Sequence, residues 1–387
     1  MKDSDRILVT GATGFIGARL VETLARRGHR IRITTSDFRN CVRVARFPVE
    51  LVKADLLDPA SMARAVDGCD VVFHLAYRFG GTAAEQKRAN VEGTRALAEA
   101  AIAGGVRRFV HFSSMSTYGP AFDGELTETT ARRPTSESYA ITKRQIDDML
   151  RSFHARQRLP VAILQPSIVY GPFGFYWTTR LLQQVTSGRV ALPARCSGLC
   201  NVVYVDDVVN AAILASESDA ALGETFLISA ATPVTWRAFY GAYEQMAGRK
   251  AVILMDAAEL AAEHRRERAQ RRFSRRVYNA LARRPHVRDR LLALPPQRWV
   301  VRSGRALLPR ATRQRIEQWY NGFWQAPEGN APRLYVPDPE TCAWYGSETN
   351  VRIDKARETL GFVPAFDLGS GMAKTALWAR WANLTPN

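Results

Sequence analysis

The sequence predicts a doubly wound α/β fold, a parallel sheet covered by helices on both faces. Two observations carry this. Short apolar runs alternate with helix-length amphipathic stretches through the first 130 residues, and a glycine triplet stands where the first run turns into the first amphipathic stretch. Strands separated by helix-length patterns imply right-handed βαβ units. A third observation, the crowding of positive charge into one later segment, sets a basic helical insertion apart from the rest.

In order, the strands are read at ILVT, IRITT, VELVKAD, VVFHLA and FVHFSS, with helices over Phe15 to Gly28 and Asn90 to Gly104. The alternation continues through a helix around Tyr139 to Arg156 and a strand at VAILQP. NVVYVDDVVNAAILA then reads as a strand entering a helix. From about Pro172 the pattern loosens, and GPFGFYWTTRLLQQV, GETFLIS and the tail KARETLGFVPAF point to a smaller C-terminal lobe. In open α/β sheets ligands sit beyond the carboxyl ends of the strands, so later segments are expected to wall a cleft there.

At 387 residues the chain is long enough for one large domain and a smaller one. MKDSDRILVTG passes from polar residues straight into a strand, without the apolar stretch of a signal peptide. No run reaches the ~18 apolar residues of a spanning helix. The expectation is a cytoplasmic chain, soluble or at most peripheral at the inner membrane face. Cys41, Cys69, Cys196, Cys200 and Cys342 are odd in number and widely spread, which reads as reduced thiols rather than a disulfide framework or a metal site.

The glycine triplet is GxxGxxG: Gly11-Ala12-Thr13-Gly14-Phe15-Ile16-Gly17. Glycines there let the backbone turn tightly and approach a pyrophosphate, while the helix N-terminus supplies free N–H groups and positive dipole charge. This marks a Rossmann-type dinucleotide site. Asp55 and Leu56 are expected near the adenine, with Ala76 and Asn90 along the next stretch of the nucleotide. His74 reads as a satisfied core histidine. The second strand ends Thr34-Thr35-Ser36-Asp37-Phe38-Arg39. An acid at its end binds the ribose 2′-hydroxyl of NAD, but Thr35 or Ser36 falls at that place, Asp37 comes slightly late, and Arg39 suits a 2′-phosphate. NADP(H) is therefore favoured slightly over NAD(H).

Three further features converge: Ser113-Ser114-Met115-Ser116-Thr117-Tyr118-Gly119 after a strand, Tyr139-Ala140-Ile141-Thr142-Lys143 on a helix, and Pro166-Ser167-Ile168-Val169-Tyr170-Gly171-Pro172 after the next strand. The i, i+4 spacing puts Tyr139 and Lys143 on one helical face. A cationic Lys143 beside the phenol is expected to pull its pKa down from about 10. Tyr139 then exchanges a proton with a carbinol or carbonyl oxygen that Ser114 holds, while hydride moves to or from a nicotinamide.

With these motifs the chain resembles the extended short-chain dehydrogenase/reductase superfamily, nearest in pattern to its 3β-hydroxysteroid dehydrogenase and dihydroflavonol reductase-like branch. The likeness rests on GATGFIG, DL, HLA, NVEGT, SSMSTYG, YAITK, PSIVYGP and VVYVDDV. It covers about residues 5 to 250 and resumes in the tail, leaving the basic segment outside. The resemblance implies Tyr139 as acid/base, Lys143 on the nicotinamide ribose, Ser114 polarising the substrate, and Pro166 and Ile168 beside the nicotinamide. It divides the chain into an NAD(P)-binding domain over residues 1–171, to which 200–228 return, and a mainly substrate-binding lobe over 172–387 that includes an insertion at 255–345. Similar sugar-nucleotide dehydratases carry an Asp-Glu pair just after the active-site hydroxyl, where this chain has Met115 and Ser116, so β-elimination lacks its acid and base. Phe175, Tyr176, Trp177 and Arg180 are candidates to line the pocket.

Of the net charge of +17, +15 lies between Arg265 and Arg315, with 17 Arg against Glu267 and Asp289. Phe273, Val277 and Leu281 recur at helical spacing within it, Trp299 lies nearby, and Ile316, Trp319, Tyr320 and Phe323 form a second stripe. Three roles stay open: a solvated helical pair that covers the cleft or forms a homodimer contact, an anionic membrane surface, and an acidic substrate or carrier protein. Nucleic acid is not expected, because the fold accounts for the rest of the chain. The leading expectation is an NAD(P)(H)-dependent oxidoreductase acting on a carbonyl or secondary alcohol of a small hydrophobic or anionic substrate. The alternatives are a nucleotide-sugar 4-epimerase with tightly bound NAD and, from another class, a non-catalytic NADP-binding scaffold or sensor.

Overall fold

Seven strands pair in parallel in the central sheet: β1 (Arg6–Thr10), β2 (Arg30–Thr35), β3 (Val49–Lys53), β4 (Val71–His74), β5 (Arg108–Phe112), β7 (Val161–Pro166) and β12 (Thr225–Ile228). Their order across the sheet is β12-β7-β5-β4-β1-β2-β3. This computed structural model describes residues 4–194, 198–266 and 333–385. Winding outward in both directions from β1 leaves a switch point between β1 and β4, where a crevice opens at the strands' carboxyl ends.

Apart from the edge strand β3, which is largely exposed, the strands are buried on both faces because successive residues feed two different cores. Ile7 and Val9 of β1 pack with Leu20, Val21 and Leu24 of α1 (Phe15–Arg26) and with Val208 and Ile213 of α7 (Val205–Glu217). Leu8 between them belongs to the opposite core, with Leu97 and Ala98 of α4 (Gly93–Ala103) and Ile146 and Leu150 of α5 (Ser138–Gln157). The same alternation runs through Val71, Val72 and Phe73 and through Val161, Ala162, Ile163 and Leu164. Near-continuous apolar runs in the sequence thus reflect a two-sided burial rather than a half-exposed sheet.

The segment NVVYVDDVVNAAILA forms β11 (Val202–Tyr204) running into α7. β11 pairs with β8 (Ile168–Tyr170) in a small separate sheet. GETFLIS supplies β12 to the central sheet as the neighbour of β7. The tail, grouped by sequence with the later elements, buries Ile353, Ala356, Leu360 and Phe362 in the core of α1 and α7.

By compactness, residues 1–186, 195–252 and 339–387 form one unit, and 187–194 with 253–338 a second. In the second, β9 (Gly188–Pro193) lies between the strands Val252–Met255 and Arg333–Tyr335, and residues 257–266 are helical. The arginine-rich stretch lies outside the described residues apart from Arg265 and Arg266, as do Phe273, Val277, Leu281, Trp299, Ile316, Trp319, Tyr320 and Phe323. Among the described residues no helix is long and apolar enough to cross a membrane.

Candidate active site

The glycine turn sits at the switch point. Gly11 has φ +69°, and a Cβ there would meet the backbone of Leu75 and Ala76 at 2.6 Å. A Cβ on Gly17 would lie 2.3 Å from the Gly11 carbonyl oxygen. The turn is closed by the Gly14 amide donating to the Gly11 carbonyl at 3.0 Å. Gly14 caps α1 without any side-chain hydrogen bond, and no acid occupies the first turn. The leading amides of the helix, around Phe15, Ile16 and Gly17, therefore keep their donors for an external anion. A cradle that a single Cβ would fill, next to an uncapped helix N-terminus, fits the pyrophosphate of a dinucleotide. Thr13, within the turn, is half-buried.

Around this cradle the other sequence-derived positions divide. The Ala76 amide donates to Thr10 Oγ1 at 3.4 Å, so Ala76 abuts the glycine turn. Asn90 is fully buried and spends its amide on the Arg78 backbone, accepting at 2.7 Å and donating at 3.1 Å. It fixes the loop after β4. Asp55 accepts from the Leu57 amide at 2.9 Å, and Leu56 packs against Gly93, where a Cβ would come within 2.7 Å. His74 is indeed satisfied, with Thr10 Oγ1 at 2.7 Å and Thr94 Oγ1 at 2.8 Å.

At the end of β2, Ser36 is exposed. Arg39 is not a free cation, because its guanidinium grips the Asp37 carboxylate at 2.8 and 3.0 Å. That contact, with the backbone amide of Arg39, holds the Asp37 carboxyl down to about 2.

Tyr139, Lys143 and Ser114 come together at the carboxyl ends of β5 and β7. The Lys143 ammonium donates to the Phe112 carbonyl at 2.6 Å and lies 6.0 Å from the centre of the Tyr139 ring. Ser114 caps a short 3-10 turn through the Ser116 amide at 3.1 Å. The expectation that Lys143 depresses the phenol's pKa is not met in this arrangement. Burial raises the Tyr139 phenol well above its ordinary value, with a hydrogen bond to Ser114 opposing it. Burial also lowers Lys143 from 10.5 to about 8, against the pull of Asp147. Desolvation outweighs the attraction because the ammonium is aimed at the Phe112 carbonyl rather than at the phenol oxygen. Pro166 and Ile168, both buried, follow on from β7.

Sequence reasoning missed two aromatic neighbours. Tyr77 meets the Tyr139 ring edge-on at 5.0 Å, and Phe79 stacks on it at 5.9 Å and 19°. Phe79 also lies 6.0 Å from Tyr176, which packs against Phe175. Phe79, Phe175 and Tyr176 are at least half exposed, so an apolar mouth flanks the hydroxyls. Trp177 turns away onto Trp236, and Arg180 is exposed on α6 (Arg180–Ser187). Nothing in the spacing of Tyr77 and Phe79 marks them, since the loop after β4 has no periodicity.

The family model of the NAD dependent epimerase/dehydratase family matches residues 7–229. The 3 beta-hydroxysteroid dehydrogenase/Delta 5-->4-isomerase of Mycobacterium tuberculosis is 30% identical over 258 residues, covering 59% of this chain and 66% of that protein. The 2-alkyl-3-oxoalkanoate reductase of Stenotrophomonas maltophilia is 29% identical over 242 residues, 60% of this chain and 72% of that one. The alignment thus spans just under two-thirds of the first relative's length. The structure of MoeE5 in complex with UDP-glucose and NAD superposes with a TM-score of 0.65 at 20% identity, covering 98% of this chain and 99% of that one.

Proposed function

Since the chain belongs to the NAD dependent epimerase/dehydratase family, we propose that it is an NAD(P)(H)-dependent oxidoreductase that interconverts an apolar carbonyl compound and its secondary alcohol. The observation that carries this reading is the convergence of Ser114, Tyr139 and Lys143 beneath an apolar mouth, with Met115 and Ser116 rather than carboxylates beside the hydroxyl. The relatives named as a hydroxysteroid dehydrogenase and an oxoalkanoate reductase support it.

The dinucleotide is proposed to lie with its pyrophosphate on Gly11 to Gly17 and its nicotinamide near Pro166 and Ile168, with Lys143 at the adjoining ribose. Bound there, the nicotinamide supplies or takes up a hydride. Tyr139 gives a proton to the carbonyl oxygen on reduction and takes it back on oxidation, and Ser114 steadies that oxygen by a hydrogen bond. A phenol kept protonated by burial is in the form that gives a proton in the reductive sense. Lys143 stabilises the phenolate left behind. Rings from Phe79 and Tyr176 give an apolar substrate surface to lie against.

For the nucleotide we propose NADP(H). No acid stands at Thr35, and the fork of Arg39 beside the exposed Ser36 can exchange the Asp37 carboxylate for a 2′-phosphate. The arginine-rich stretch at 265–315 is proposed to contact an anionic surface, membrane or acidic carrier. Anionic liposomes at low salt test the membrane form, which absence of co-sedimentation removes.

Replacing Tyr139 by Phe tests the core of the proposal. Turnover of a 3-oxosteroid or a 2-alkyl-3-oxoester with NADPH is expected to fall roughly 10²–10⁴-fold, with NADPH affinity within about twofold because the ring and its contacts remain. Unchanged turnover refutes the mechanism. Stoichiometric NAD extracted from the purified protein, with no ketone reduction, points instead to a 4-epimerase that returns the hydride to the opposite face.

A further inference from the structure

Beneath the candidate site lies a buried polar group that the mechanism above does not use. Asp147 is the third member of the helical face that carries Tyr139 and Lys143, one further turn along α5. It is completely buried. Its Oδ2 accepts from Ser113 Oγ at 2.9 Å and from Gln165 Nε2 at 2.9 Å. Gln165 in turn accepts from the Tyr118 hydroxyl at 2.8 Å and donates to Thr117 Oγ1 at 3.1 Å. One carboxylate oxygen therefore holds the residue before Ser114 and the residue before Pro166, and it does so from the helix that bears Tyr139.

The other oxygen, Oδ1, makes no hydrogen bond among the described residues, and neither ring nitrogen of the buried His111 does. Oδ1 and His111 Nε2 face each other at 3.8 Å. The other groups facing Asp147 are Arg132, 3.8 Å from Oδ2 but bonded to Asp148 at 2.7 Å, together with Arg151, Lys143 and Tyr118. Lys143 is faced by Asp147 and Tyr139 on its own helix, by Tyr77 at 5.0 Å, and by His74 and His111 from β4 and β5. Both histidines are driven toward their neutral forms by burial. Among the described residues, Asp147 is the acid whose charge opposes the desolvation of the Lys143 ammonium.

We propose that Asp147 is a positioning residue for the reaction, tying the ends of β5 and β7 to the Tyr139–Lys143 helix and setting a carboxylate one helical turn from Lys143. The proposal rests on the oxidoreductase reading for its consequence in turnover, but not for its consequence in Lys143. Asp147→Asn keeps an oxygen for Ser113 and Gln165, offers an N–H to His111 Nε2, and removes only the charge. Asp147→Leu removes the tie as well.

Lysine labelled with carbon-13 at the ε position, with the Lys143 signal assigned by its loss in Lys143→Met, reads the charge directly in the protein without ligand. Lys143 is expected to titrate about one pH unit lower in Asp147→Asn than in the native chain. The same titration in both overturns the charge role, whatever the protein's activity. In ketone reduction with NADPH, the alkaline limb of the Asp147→Asn rate profile is expected to lie about one pH unit below that of the native chain. Asp147→Leu is expected to lose roughly 10²-fold in kcat with KM within threefold, since misplaced hydroxyls weaken the transition state more than binding. Native kcat in a folded Asp147→Leu overturns the positioning role. If that variant does not fold, the Asp147→Asn titration and pH profile decide alone. If the native chain reduces no ketone while Lys143 still shifts, the oxidoreductase reading fails and the inference about Asp147 stands.

Discussion

Gly17→Ala is the sharpest test of the nucleotide cradle because the structure leaves the added methyl no escape. The new Cβ would stand 2.3 Å from the Gly11 carbonyl oxygen, 2.9 Å from its carbon and 3.0 Å from the Ala12 Cα. Relief to ordinary van der Waals contact needs a movement of about 1 Å, and every atom in the way is backbone. Gly11 has little room to retreat, since the space on its Cβ side is closed by the backbone of Leu75 and Ala76, 2.6 Å from where a Cβ would stand. Helix α1 cannot tilt freely either, because Leu20, Val21 and Leu24 are fully buried. The strain is expected to destabilise the fold by roughly 1–3 kcal/mol. A shift of that size also misaligns the helix amides on an anionic ligand. Losing one hydrogen bond to a charged group, about 1.5–3 kcal/mol, weakens NADPH roughly 10- to 100-fold. Quenching of intrinsic fluorescence gives the affinity and thermal unfolding gives the stability. Gly241→Ala, in the helix α8 (Trp236–Ala247) with nothing within 4 Å of the added Cβ, is the control and is expected to be neutral or slightly stabilising. NADPH binding by Gly17→Ala within threefold of the native chain, with unchanged Tm, would refute the reasoning.

Lys143→Met should be inactive yet more stable at neutral pH. Burial lowers the folded-state pKa of Lys143 from 10.5 to about 8, so below pH 8 the fold carries a penalty of roughly 3 kcal/mol; this falls as pH rises from 8 to 10.5, where only the unfolded chain is protonated. Less about 1 kcal/mol for the hydrogen bond to Phe112, the variant should gain about 2 kcal/mol at pH 7 in urea unfolding, and a gain that grows toward pH 9.5 contradicts the sign. Phe79→Ala should raise KM for an apolar ketone roughly tenfold with kcat within threefold; a change confined to kcat would place Phe79 outside the substrate surface. Asp37→Asn releases the Arg39 guanidinium and should move the NADPH to NADH affinity ratio roughly tenfold toward NADPH, a shift that equilibrium titration with both nucleotides detects and that an unchanged ratio excludes.

Much of the scaffold was legible because it obeys simple periodicities. Runs such as Val71 to Phe73 are apolar throughout because both sheet faces are covered, and the glycine spacing reports a backbone that has no room for a Cβ. The order of the sheet was less accessible. β12 joins β7 across more than fifty residues, and β8 and β11 form a separate ladder that local pattern does not distinguish from the central one. At the site, Tyr139 and Lys143 were marked by helical spacing, and the same periodicity continued one turn reaches Asp147. Tyr77 and Phe79 carried no such signal. Arg39 was misleading for the opposite reason: a free cation and one held by an acid two residues away look the same until the loop is folded.

The two displaced equilibria at the centre have one origin, and together they set the protonation states in which the site rests. Burial raises the phenol of Tyr139 and lowers the ammonium of Lys143, so each group is driven toward its neutral form. A neutral phenol is the form that gives a proton to a carbonyl oxygen, and the raised pKa that keeps it neutral also makes the phenolate a stronger base toward an alcohol. The charge on Lys143 helps most when the phenolate has formed, after the proton has moved. Lys143 must then still be an ammonium at working pH, and with its pKa near 8 that margin is small. Asp147 opposes the desolvation of Lys143 from within the protein interior, so a change there should be felt first at the alkaline edge of activity rather than in substrate affinity.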